Sequence, residues 1–132
     1  DLARENAEAL GLAGRVEFHN GDLLAPLAGR RCHLICANLP YIPPREMATL
    51  IPDVGLHEPP LAPAGGPAGL DLIVRLLSEA TDVLAPGGRV LLEIWPDSYN
   101  ELEERAGSLG FSAAEPIRDL AGHIRIASLS QD

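Results

Sequence analysis

The sequence predicts an α/β domain whose sheet is mostly parallel with an antiparallel edge. Three observations predict it. Helical periodicities alternate with short apolar runs, the last two strand-like runs follow each other directly, and the runs at 33–37 and 90–95 are nearly continuous, as in strands buried on both faces. The first helix comes from Leu2, Ala3, Ala7 and Leu10 on one face against Arg4, Glu5 and Glu8 on the other. Gly11 stands at its C-cap, with Leu12 behind it as the hydrophobic contact. Val16-Glu17-Phe18-His19 alternates as a short strand and ends in the turn Asn20-Gly21-Asp22. His33–Ala37 is the next strand. Between Pro40 and Pro67 lie eight of the twelve prolines. Proline removes a donor and breaks helices, so 42–69 is expected to be a long stiffened loop with a helical turn near 45–50. A helix near Leu70–Leu84 follows from the stripe Leu70, Ile73, Val74, Leu77, Thr81 and Leu84, and Pro86-Gly87-Gly88 ends it in a turn. Val90–Trp95 is a strand, and Ser98–Leu109 a helix with Tyr99, Leu102, Ala106 and Leu109 inward and Gly110 as its cap. Strands near Phe111–Ile117 and Ile124–Leu129 close the chain, joined by Asp119-Leu120-Ala121-Gly122.

One domain accounts for all 132 residues, with 46% hydrophobic and 22% charged content. No apolar stretch approaches the ~20 residues of a membrane span. Ten Lys+Arg against 19 Asp+Glu give a net charge of −9 without a basic cluster, which argues against direct nucleic-acid binding through phosphate neutralisation. On one strand, Cys32 and Cys36 would sit about 13 Å apart, beyond the ~7 Å that a disulfide spans. They are expected to be packed, reduced thiols of a cytoplasmic protein. The four histidines are scattered, and no metal-ligand spacing occurs. The first helix opens without an N-cap, so the chain is expected to be a portion of a longer protein.

The informative tetrapeptide is Asn38-Leu39-Pro40-Tyr41, directly after the strand at 33–37. Ligands of open parallel sheets bind beyond the carboxyl ends of strands. Pro40 forces Leu39 into an extended conformation, which would aim its carbonyl outward beside the Asn38 side chain. Two adjacent acceptors can hold both hydrogens of a planar NH2 group and direct its weak lone pair at an electrophile, with Tyr41 packing on the plane. A strand-ending turn punctuated by Asn and Pro is the plainer alternative.

Asn38-Leu39-Pro40-Tyr41 is similar to the Asn-Pro-Pro-Tyr signature of methyltransferases that use S-adenosylmethionine on planar nitrogens. Its order and spacing with His57-Glu58-Pro59, Gly65-Gly66, Gly69-Leu70-Asp71, Leu84–Gly88, Leu91-Leu92-Glu93-Ile94, Asp119-Leu120-Ala121-Gly122 and Arg125 resemble the bacterial release-factor glutamine methyltransferases, from Asp1 to about Leu129. The resemblance implies a Rossmann-like sheet lacking its first two strands, as the C-terminal portion of a catalytic domain. It implies N5-methylation of the glutamine in a Gly-Gly-Gln loop of peptide chain release factors. Asn38 and the Leu39 carbonyl would hold the amide, and Pro40 and Tyr41 would shape its slot. Asp22 would lie near the adenine amine of the cofactor, Leu23 would pack on the adenine, and Glu58 is a substrate-side candidate.

Leu39 departs from the signature's first proline, and Trp95 stands where the family has glycine. Asn-Leu-Pro-Tyr also occurs in ribosomal RNA adenine dimethyltransferases, so a nucleic-acid amino-group methyltransferase is an alternative. The glycine-rich loop that cradles the cofactor's methionine end is not in this chain. Gly65–Gly69 follows a proline-rich loop rather than a strand and does not replace it. A catalytically inert fragment is therefore the third reading. Without the first two strands, the strand at 33–37 would keep an open edge. The strand at 16–19 would then pair with it directly, or two copies would associate there.

Overall fold

The computed structural model describes residues 2–40 and 70–131. Tyr41, Glu58 and the proline-rich loop lie outside the described residues. Helix α1 (Leu2–Ala9) ends as its sequence requires. Gly11 adopts φ +68°, its N–H donates to the Glu8 carbonyl at 3.0 Å, and the Leu12 N–H donates to that of Ala7 at 2.7 Å. These are the two bonds of a Schellman cap, which glycine enters without the steric penalty of a Cβ. Beyond it the expected strand at 16–19 is not a strand; the segment has no ladder partner among the described residues. Side chains hold it instead. The Arg4 guanidinium lies 5.1 Å from the Phe18 ring centroid, and Arg30 pairs with Glu17 at 2.8 Å and contacts His19 at 3.1 Å.

Strand β1 (Cys32–Ala37) leads to the proline-rich segment, and helix α2 (Asp71–Val83) runs into β2 (Leu84–Glu93). After β2, a 3-10 turn at Pro96–Ser98 opens α3 (Tyr99–Ser108), and β3 (Phe111–Ala113), β4 (Ile117–Arg118) and β5 (Ile124–Gln131) follow. The described sheet has the order β1-β2-β5-β3, with β4 also pairing with β5. β1 and β2 are parallel and the other ladders antiparallel. Pro86-Gly87-Gly88 is not the expected turn between helix and strand, because the helix ends at Val83 and these residues lie within β2. They fall in the irregular stretch between the pairs Cys32–Leu84 and Leu34–Arg89, so β2 begins at Leu84.

Val90, Leu92 and Ile94 point to one face of the sheet and are fully buried. Across the ladder, Leu129 opposes Val90 and Ala127 opposes Leu92, so β5 extends the same face. Ile73, Leu76, Leu77, Ala80 and Val83 of α2 and Leu102 and Ala106 of α3 pack on it. The expectation of strands buried on both faces fails at β1. Ile35 is buried there, but Leu34 is 53% exposed and His33 and Cys36 are exposed. Among the described residues β1 has β2 on one side only, and no described helix covers the second face. Cys32 and Cys36 are free, as expected, but Cys36 is exposed rather than packed.

Candidate functional site

Two short segments carry the predicted site residues that the structure describes. The first is the turn at 21–24. Gly21 packs so closely on the Pro26 ring that a Cβ would overlap it, so only glycine leaves the turn this tight. Leu23 has φ +44° and is the one described non-glycine residue in the left-handed region. A leucine there carries steric strain and persists only where its surroundings fix it. They fix it from both sides. The Asp22 carboxylate accepts a hydrogen bond from Arg75 Nη2. The Leu24 N–H donates to Glu79 Oε2 at 3.0 Å. Arg75 and Glu79 lie one turn apart on α2 and pair with each other, Nε to Oε1 at 3.3 Å. The carboxylate of Asp22 holds the Arg75 guanidinium above its ordinary pKa, with Glu79 adding to the effect. A 3-10 turn, Ala25–Leu27, then carries the chain away.

The second segment follows β1. Ala37 pairs with Leu92 in the last rung of the parallel ladder. Asn38 and Glu93 are therefore the next residues of their strands at one carboxyl edge. Asn38 and Pro40 are exposed and Leu39 is half-buried. Leu23 and Leu39 both pack partly buried against the same core cluster. Arg31 helps to fix the approach to β1 by donating to the carbonyls of Asp82 at 2.8 Å and Leu84 at 3.2 Å, where the end of α2 leaves carbonyls without helical partners.

Sequence reasoning singled out Asp22, Leu23, Asn38, Leu39 and Pro40 but missed Arg75 and Glu79. Their i, i+4 spacing on a polar helix face reads like any solvated ion pair; only the fold carries them to the turn. An open recess of about 300 Å³ lies elsewhere, lined by Ala3, Arg4, Phe18, His19 and Asn20, and none of the predicted site residues lines it. Among the described residues no group of His, Cys, Asp and Glu could hold a metal ion. No described helix is long and apolar enough to cross a membrane.

At the far end of the sheet, Asp119 organises the loop before β5. Its Oδ1 accepts from the N–H groups of Ala121 and His123, both at 3.0 Å, and its Oδ2 from Arg125 Nη2 at 3.0 Å. The Arg125 hydrogen bond is the main reason its carboxyl titrates below the ordinary range.

No protein-family model matches the chain. A release factor glutamine methyltransferase of Moorella thermoacetica is 42% identical over 125 residues, covering 94% of this chain and 44% of the relative. A ribosomal protein uL3 glutamine methyltransferase of Bradyrhizobium diazoefficiens is 43% identical over 94 residues, covering 71% of this chain and 29% of the relative. Among solved structures, a methyltransferase from Pyrococcus furiosus superposes with a TM-score of 0.67 at 26% identity, covering 96% of this chain and 54% of that one. The chain thus spans less than half the length of these sequence relatives, and its α/β fold is that of methyltransferases.

Proposed function

Because the chain is a homologue of the release factor glutamine methyltransferases over nearly its whole length, we propose that the protein it belongs to methylates the side-chain amide nitrogen of a glutamine. The acceptor is the glutamine of a Gly-Gly-Gln loop in peptide chain release factors, and the reaction takes place in the cytoplasm. The observation that carries this reading is the position of Asn38, exposed at the carboxyl end of β1 and followed by Leu39 and Pro40. The Asn38 side-chain oxygen and the Leu39 carbonyl accept the two amide hydrogens of the substrate. Holding both hydrogens orients the nitrogen lone pair, so catalysis here is positioning and preorganised hydrogen bonding. Pro40 and Tyr41 shape the slot, and Glu58 serves on the substrate side.

The donor chemistry, supplied by S-adenosylmethionine when bound, is an electrophilic methyl group on a sulfonium sulfur. The residues at 22–24 fit the adenine end of such a molecule. Asp22 is an exposed carboxylate that can accept from an exocyclic amine, and Leu23 is a half-buried apolar side chain beside it. Once methylated, the amide nitrogen is acidic enough to release its proton to water, so no strong base is needed.

The uL3 relative favours a second reading of the acceptor, a glutamine of a ribosomal protein. Transfer of labelled methyl from S-adenosylmethionine by the intact protein, offered a release factor, ribosomal protein uL3 and ribosomal RNA in turn, tests all three acceptors. Label on the release factor, abolished by replacing its loop glutamine, is the expected result. Label on uL3 alone reassigns the protein substrate, and label on RNA alone restores the nucleic-acid alternative. Failure to bind S-adenosylhomocysteine at millimolar concentration removes the cofactor assignment.

A further inference from the structure

We propose that Arg75 and Glu79 of α2 are positioning residues that clamp the 22–24 turn, presenting Asp22 and the left-handed Leu23 to the adenine end of the cofactor. The inference rests on the cofactor reading above and deepens it. Leu23 occupies a backbone region that leucine avoids, and its two neighbours are each tied to the same helix, Asp22 through Arg75 and Leu24 through Glu79. A solvent-exposed ion pair contributes little to global stability. Here, however, the bonds flank the strained residue on both sides, and their effect falls on the local conformation. The Arg75–Glu79 contact makes the clamp one unit. Asp22 remains able to serve a ligand while it is held. A carboxylate has two oxygens and about four acceptor sites, and one oxygen is engaged by Arg75.

Arg75→Gln, Arg75→Lys and Glu79→Ala in the intact protein test this through three readouts. These are the melting temperature, the Kd for S-adenosylhomocysteine by calorimetry, and hydrogen exchange at the Leu24 amide against that of Leu77 in the helix. Release of the turn is expected to weaken binding about tenfold in Arg75→Gln and Glu79→Ala. Leu24 exchange should accelerate while Leu77 exchange and the melting temperature hold, and Arg75→Lys, which keeps the charge on Asp22, should recover much of the affinity. Binding within about twofold of wild type in both Arg75→Gln and Glu79→Ala overturns the proposal. If Arg75→Gln proves too unstable to titrate, Glu79→Ala alone decides. If the wild-type protein does not bind S-adenosylhomocysteine, the cofactor reading fails by itself. The clamp is then judged on the Leu24 amide: faster exchange in the variants supports it as a holder of the turn, and unchanged exchange overturns it.

Discussion

Asn38 projects from the first residue after a parallel strand, is exposed, and contributes nothing to the core, so its side chain can be truncated without a packing cost. Asn38→Ala is expected to lower turnover of the intact protein about a hundredfold, the usual effect of deleting one preorganised hydrogen-bonding group. Binding of S-adenosylhomocysteine should change far less. Single-turnover transfer to a release factor checks this, and a near wild-type rate would remove Asn38 from the substrate site. Leu39 tests a different claim. Its proposed contribution is a main-chain carbonyl, yet its side chain packs partly buried against the core. Leu39→Pro should therefore leave the rate within about twofold of wild type while lowering the melting temperature by a few degrees, and a rate change well beyond that would assign the side chain a part in the slot. These residues stood out in the sequence because they follow an apolar run and match a known signature, although the same Asn and Pro also suit an ordinary strand-ending turn. Arg75 and Glu79 were not legible, because nothing local distinguishes a pair that bonds a distant turn from one that faces water. The strain at Leu23 was equally hidden: no residue type marks a left-handed leucine.

Helices α2 and α3 lie within a residue or two of where their apolar stripes put them, and the cap at Gly11 has the geometry that a glycine followed by leucine suggests. Strands fared differently, because a strand is completed by its neighbours. Among the described residues, Val16–His19 alternates correctly but finds no partner strand, and β1 reads as doubly buried although only one of its faces and one of its edges are covered. Pro86-Gly87-Gly88 carries every mark of a turn, yet pairing with β1 on both sides of it keeps the segment within one strand. At the β4–β5 connection, one carboxylate replaces several backbone partners. The Asp119 pKa is depressed in the native state, chiefly by Arg125. Its contribution is therefore present at neutral pH and lost as pH falls below the ordinary carboxylate range through that depressed value. Acidification should release the Ala121 and His123 amides before the sheet opens, as their NMR shifts would report. Movement of those shifts at neutral pH, where the carboxylate stays ionised, would contradict the assignment.

At the scale of the molecule, the alternation of helices and strands was enough to indicate an α/β fold, since the order of elements depends on periodicity alone. The resemblance to methyltransferases came instead from the motifs around Asn38-Leu39-Pro40-Tyr41. Which edges of the sheet stay open depends on contacts the sequence does not display. Among the described residues β1 has a partner strand on one edge only, with Leu34 exposed on it, and an open edge invites another strand. The isolated 132-residue chain is expected to self-associate through it, with Leu34→Lys shifting the light-scattering mass toward the monomer. A wild-type chain that stays monomeric at high concentration would rule that association out. The same strand has a second consequence, in time rather than in space. β3 pairs with β5 across 16 to 20 residues of chain and β2 with β5 across 33 to 41, whereas β1 reaches β2 across 52 to 55, with the proline-rich segment and α2 between them. Closing so long a loop costs chain entropy before any ladder bond repays it. The C-terminal half should thus fold first and serve as the template on which β1, and with it Asn38, docks last.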